Sequence, residues 1–142
     1  MIMDKLTDSI KESEGYEEKI YLDTKDIPTC GWGHALLVGS KVPKEVCEIF
    51  LKQDIASAIN DFYRLATIFG TDFIRNLSEN RRRVLVEMIF NLGLPRFLKF
   101  VKMIEAIKIQ NWEQARYEML DSKWHIDVGL RADRLADTLL EG

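Results

Sequence analysis

Two carboxylates and a hydroxyl stand at spacings that could serve one reaction. Glu14 is followed nine residues later by Asp23 and fifteen residues later by Thr29. All three lie in residues 12–29, "ESEGYEEKIYLDTKDIPT", where Glu12, Glu14, Glu17, Glu18, Asp23 and Asp26 are acidic. Two carboxyl groups facing each other across a gap are what glycoside hydrolysis requires. One protonates the leaving oxygen, and the other handles charge or water on the opposite side of the sugar. A stretch this acidic is also what a solvated surface looks like. Spacing alone leaves both readings open.

The elements that must position these groups follow from pattern. A first helix over about residues 3–13 carries Leu6 and Ile10 four apart and Asp4 in its first turn, as the helix dipole favours. Gly15 is a natural stop, because glycine takes the left-handed conformation that ends helices. Glu14 is then a negative charge at a helix C-terminus, an unfavourable place that needs a reason. Residues 19–38 hold short β-prone runs, "KIYLDT" and "TCGWGHALLV", with turn residues between them, which fits a small antiparallel sheet. A second helix starts near Pro43 and turns Val46, Ile49, Phe50, Ala56, Ile59 and Tyr63 toward a core. Ser78 is placed to cap a central buried helix with the stripe Val84, Leu85, Met88, Ile89 and Leu92, ended by Gly93. Phe97, Phe100, Val101, Ile104 and Ile107 mark the next helix. Asn111 caps a short one carrying Trp112, Ala115 and Met119, and the last carries Leu135, Ala136, Leu139 and Leu140. The expected class is α+β, mainly α, with a sheet-containing lobe at about 15–60 and a helical lobe from 1–14 and 61–142 in one domain with a cleft between lobes.

Bulk properties narrow the function. The 142 residues suit one domain, and 46% hydrophobic with 30% charged residues is ordinary for a globular protein. A net charge of −3 excludes a strongly basic nucleic-acid binder. No apolar run approaches the ~18–20 residues of a membrane span, so no stable membrane insertion is expected. The start, "MIMDKLTDSIKE", lacks the charged-then-apolar pattern of a signal peptide. Cys30 and Cys47 are too few for a disulfide scaffold and read as ordinary thiols. With His34 and His125 the only histidines, a metal site would lack ligands, and no metal or cofactor is expected.

The neighbours of the carboxylates carry a resemblance. Glu14-Gly15, Tyr21-Leu22-Asp23-Thr24 and Thr29-Cys30-Gly31-Trp32-Gly33-His34 resemble, with spacing preserved, the signature of the phage-type (T4-like) lysozymes, the endolysin family of glycoside hydrolases. "RRRVLVEMIFNLG" is similar to that family's central helix, with Asn91 where its members carry an amide. "SKWHIDVGLRADRLADTLLEG" is similar to its closing segment, with Trp124, Arg131 and Arg134 at the matching Trp and Arg positions. The resemblance implies a lysozyme-like fold. It implies Glu14 as general acid, Asp23 as the carboxylate that stabilises positive charge at the anomeric carbon, and Thr29 as the hydroxyl that positions the attacking water. It also implies inversion, with carboxyls roughly 6.5–9.5 Å apart to admit that water. Arg131 matches a residue that pairs with the acid in relatives, which would favour the ionised acid, so burial and the helix C-terminal dipole must oppose it.

Other residues read on physical grounds. Gly31 and Gly33 flank Trp32 and remove side chains at alternate strand positions, so a sugar or another backbone can approach. Trp32 either packs under the sheet or stacks on a sugar face, and stands with Asn91 and Arg131 as a substrate-binding candidate. His34 is expected as a structural hydrogen-bonding residue, Trp124 as core or lobe-joining, and Arg134 as structural near the site. Arg81, Arg82 and Arg83 read as a solvated face or as an attraction for anionic wall polymer. Three departures from the family prototype stand out: a short segment after His34, Ser13 where the prototype has an acid that would pair with Arg134, and Asn91 one methylene shorter than a glutamine.

The expected activity is that of an endolysin-type muramidase, cleaving the β-1,4 bond between N-acetylmuramic acid and N-acetylglucosamine in peptidoglycan. The expected protein is a monomer held in the host bacterial cytoplasm until a holin releases it to the cell wall. A lytic transglycosylase acting on the same bond is the alternative enzyme, though a water-positioning pair is superfluous there. A non-catalytic wall-binding protein is the alternative outside enzymes.

Overall fold

The computed structural model describes residues 2–142, and the chain divides into two compact units with the boundary between Lys44 and Glu45. The first helix groups with the sheet, and the second helix, apart from Lys44, with the helical body.

In the first unit, α1 (Ile2–Glu14) ends where Gly15 takes φ +70° and its N–H donates to Lys11 O at 3.0 Å. Strands β1 (Glu17–Leu22), β2 (Pro28–Gly31) and β3 (His34–Ala35) form an antiparallel sheet in the order β1-β2-β3. The β1–β2 register pairs Glu17 with Gly31 and Tyr21 with Thr29, so β1 carries a bulge. Central-strand Thr29, 3% exposed, is the one residue of this unit that is buried among those described.

The second unit is helical. It runs through α2 (Lys44–Arg64, its first residue at the boundary), α3 (Ala66–Phe69), α4 (Thr71–Asn76), α5 (Glu79–Leu92), α6 (Leu94–Phe97), α7 (Val101–Lys108), α8 (Trp112–Leu120), α9 (Lys123–Val128) and α10 (Leu130–Glu141). Helix α5 is central as its pattern demands: Val84, Leu85, Met88, Ile89 and Leu92 are all buried. The Ser78 side chain accepts from Arg81 N–H at 3.1 Å, and Gly93 ends the helix. Asn111 caps α8 in the same way through Gln114 N–H. The single helix expected around Phe97–Ile107 is two, because Phe100 (φ −77°, ψ 59°) leaves helical geometry between α6 and α7. In α2 only Ala58 and Phe62 are buried; of the expected stripe Val46 is half-buried and Ile49, Phe50, Ala56, Ile59 and Tyr63 are exposed, so the core-facing residues of this helix are ones the sequence pattern did not mark.

The three arginines at the start of α5 differ in role. Arg81 reaches the far end of the chain, where its Nε donates to Leu139 O at 2.9 Å and a terminal nitrogen donates to Leu140 O at 3.2 Å. Those carbonyls are among the last of α10, which have no partner within the helix. The same guanidinium lies 3.9 Å from the centroid of the Trp112 ring. Burial pushes Arg81 down from its ordinary value, a desolvation cost that the two carbonyls and the indole face offset. Arg82 Nε is buried without a hydrogen-bond partner among the described residues. Only Arg83 is exposed, with a long 3.4 Å contact to Asn80 Oδ1. The solvated-face reading therefore fits Arg83 and not Arg81.

Replacing Arg81 by Ala should lower the unfolding free energy by about 1–3 kcal/mol, read as a lower urea midpoint at unchanged slope. Arg81→Lys should recover only part of that loss, since an ammonium cannot make the same planar fork and lie flat on the indole.

Candidate active site

The turn between β1 and β2 is built from one side chain. Asp23 Oδ1 accepts from Lys25 N–H at 2.7 Å and from Ile27 N–H at 2.9 Å. Its backbone N–H donates to Ile27 O at 3.0 Å, and its own carbonyl accepts from Asp26 N–H. Asp26 takes φ 60°, which aspartate tolerates better than most residues. Short polar side chains close such turns by replacing a backbone acceptor. This one leaves Oδ2 without a partner among the described residues.

Ile27 also governs Thr29. The Thr29 hydroxyl donates to Ile27 O at 2.8 Å, the same carbonyl that accepts from Asp23 N–H. A hydroxyl has one hydrogen and two lone pairs. With that hydrogen committed, Thr29 Oγ1 faces any further partner only as an acceptor. Asp23 and Thr29 are thus fixed by the backbone groups of one residue, a role for Ile27 that sequence reading missed. The signal was present: an Asp four residues before an extended segment, with Lys25-Asp26 between, is the composition of a side-chain-closed turn.

Glu14 is set by an absence. A Cβ built on Gly33 would stand 2.8 Å from Glu14 Oε2 and 3.1 Å from its carboxyl carbon. The carboxylate occupies the space that any other residue at position 33 would fill. Gly33 also has φ +76°, so two independent constraints ask for glycine. Gly31, at φ +64°, meets open space instead. The expectation that both glycines admit a sugar or a strand is thus corrected: Gly33 makes room for Glu14, and Gly31 serves the backbone of the turn. The burial invoked for Glu14 is absent, since the residue is exposed.

Trp32, between the two glycines, is 45% exposed and does not pack under the sheet. Its ring lies 4.8 Å from that of Tyr16 at 43°, and Lys11 Nζ stands 4.6 Å from its centroid. His34 is exposed with no side-chain hydrogen bond among the described residues, rather than the bonded structural residue expected. Ser13 Oγ turns back to Ser9 O at 2.9 Å within α1.

In the second unit, Trp124 is buried and its Nε1–H donates to Asn91 Oδ1 at 2.8 Å. Asn91 thereby holds an indole with its oxygen and keeps its exposed amide NH₂ for other partners. Arg131 Nε donates to Glu87 Oε1 at 3.1 Å. That glutamate, on α5, is a partner that sequence reading did not single out. Arg134 is exposed, and its backbone carbonyl accepts from Thr138 Oγ1. Among the described residues no cluster of His, Cys, Asp or Glu could hold a metal ion, and no helix is long and apolar enough to cross a membrane.

The family model for phage lysozyme matches residues 11–137, which contain every residue of this arrangement. The chain belongs to the phage lysozyme family. Relatives include a probable T4-type lysozyme 2 of Dictyostelium discoideum, 25% identical over 96% of this chain and 94% of its own. The endolysin of Acyrthosiphon pisum secondary endosymbiont phage 1 is 26% identical over 81% of this chain and 73% of its own. The pre-baseplate central spike protein Gp5 of Enterobacteria phage T4 is 24% identical over 96% of this chain but only 28% of its own length. Lysozyme family membership supports a glycosidase acting on peptidoglycan.

The two glycines make a controlled comparison. Gly33→Ala and Gly31→Ala should each cost about 1–2 kcal/mol of stability through the left-handed backbone. Only Gly33→Ala should also displace the Glu14 carboxylate. Peptidoglycan clearing, normalised to the folded fraction from thermal melts, should therefore fall in Gly33→Ala and hold near wild type in Gly31→Ala.

Proposed function

We propose that the protein is an endolysin-type muramidase that cleaves the β-1,4 bond between N-acetylmuramic acid and N-acetylglucosamine with inversion. Glu14 gives its proton to the glycosidic oxygen as the bond breaks. Its place at the end of α1 is the reason a carboxylate stands where the helix dipole disfavours it. Asp23 answers the positive charge that develops at the anomeric carbon, through the oxygen that the turn leaves free. Thr29 accepts a hydrogen bond from the attacking water and so turns a water lone pair toward that carbon, and the proton that the water loses as the new C–O bond forms passes to the free oxygen of Asp23. The observation that carries this reading is the shared anchoring of Asp23 and Thr29 on Ile27, inside a family match that also contains Glu14.

The same reading includes host-cell lysis, with the protein held in the cytoplasm as a monomer and released to the wall through a holin. Product analysis separates hydrolysis from transglycosylation: a reducing end supports a water-using muramidase, and a 1,6-anhydro end overturns it.

Glu14→Gln keeps the side chain's shape against Gly33 and removes its acidity. Clearing should fall by about 10²–10⁴-fold; wild-type clearing by this variant defeats the assignment. Asp23→Asn keeps an oxygen for the turn and loses the charge, so it should fold like wild type and clear poorly. Asp23→Ala removes the turn acceptor as well, and should lose about 1–3 kcal/mol of stability in addition.

A further inference from the structure

The exposed aromatic pair beside Glu14 has no role in the chemistry above. We propose that Tyr16, Trp32 and Lys11 form a sugar-binding subsite that selects a pyranose carrying a carboxylate, the lactyl-bearing sugar of peptidoglycan. This rests on the reading of Glu14 as the acid of a glycan-cleaving site.

Three observations carry it. First, Trp32 is 45% and Tyr16 61% exposed, yet the two rings touch and are held by the strand register. Glu17 pairs with Gly31, so their neighbours Tyr16 and Trp32 meet at the same end of the β1–β2 ladder. A paired, solvent-facing aromatic surface on a scaffold is a binding feature more than a packing one. The apolar C–H face of a pyranose buries against such a surface by dispersion and loss of hydrated area.

Second, the surface borders the acid. Trp32 precedes Gly33, whose empty Cβ position holds Glu14, and Tyr16 follows Glu14 by two residues. A ring seated there is within one sugar of the bond that Glu14 protonates.

Third, Lys11 is a cation in an acidic stretch that forms no ion pair among the described residues. Its Nζ lies over the indole instead. Lys11 stands three residues before Glu14 on α1 and shares its helix face. The ammonium holds the aromatic face until a sugar takes it, then swings on its flexible stem to the sugar's carboxylate. A neutral N-acetylglucosamine ring gains the aromatic contact and no charge contact. The subsite is therefore a selector between the two alternating sugars, and it sets which bond lies at Glu14.

The test uses the full chain carrying Glu14→Gln, titrated by calorimetry with two glycans: neutral oligomers of N-acetylglucosamine, and peptide-free peptidoglycan strands that keep their carboxylates. Trp32→Ala and Tyr16→Ala should weaken both by about three- to tenfold. Lys11→Met should weaken only the carboxylated strands, by about two- to fivefold, and should flatten the salt dependence of their binding. Trp32→Phe, which keeps a ring, should recover part of the loss and guards against a folding defect in the Ala variant. Unchanged affinities in Tyr16→Ala and Trp32→Ala, or an equal loss for both glycans in Lys11→Met, would overturn the subsite. The hydrolase reading is judged separately, by wild-type clearing and its products. A wild type that cleaves while these variants bind normally removes the subsite alone; ring-dependent binding without cleavage removes the hydrolase alone.

Discussion

The backbone of Ile27 is the fixed point of the first unit. Its N–H and carbonyl close the turn with Asp23, and the same carbonyl orients the Thr29 hydroxyl. A backbone group has no rotamer to lose, so it positions two side chains at low entropic cost. The unit has little apolar burial of its own among the described residues. Its geometry is instead set by hydrogen bonds of the turn and by strand pairing. In such a unit, satisfying the backbone and presenting the functional groups are one problem, and Asp23 solves both with different oxygens.

Glu14 is placed by complementary means. A helix end delivers it, and the missing Cβ of Gly33 receives it. The favourable dipole position for an acid is a helix start, so the position at the end of α1 is retained against local electrostatics. Local rules broken at one residue, while its neighbours obey them, are a mark of function over stability.

Much of the helical body was legible from the sequence because its signals are local. The α5 stripe, the Ser78 and Asn111 caps and the Gly93 stop are each written within a few residues, and each holds. The first helix and the sheet were legible for the same reason. What escaped was either too short to show a period or decided at long range. Helices α3, α4 and α9 span 4 to 6 residues, less than two turns. The split at Phe100 breaks a stripe whose apolar residues read as continuous. Glu87 is separated from Arg131 by 44 residues, so no window of sequence pairs them. At the site, the residue identities were legible through the motif; the Ile27 anchor and the Gly33–Glu14 complementarity were not, because both depend on where backbone atoms fall.

The clasp between Arg81 and the last turn of α10 sets a timetable for biosynthesis. Its two hydrogen bonds join residues 58 and 59 positions apart. At about 5–20 residues per second, a ribosome needs roughly 3–12 s to make the segment between them. Throughout that interval α5, with its buried stripe, exists without the helix that closes over its start. Until α10 is made, the guanidinium of Arg81 lacks the two carbonyls that hold it. A chain interrupted short of Leu139 would carry every motif residue named above and still lack the contact that covers the start of α5.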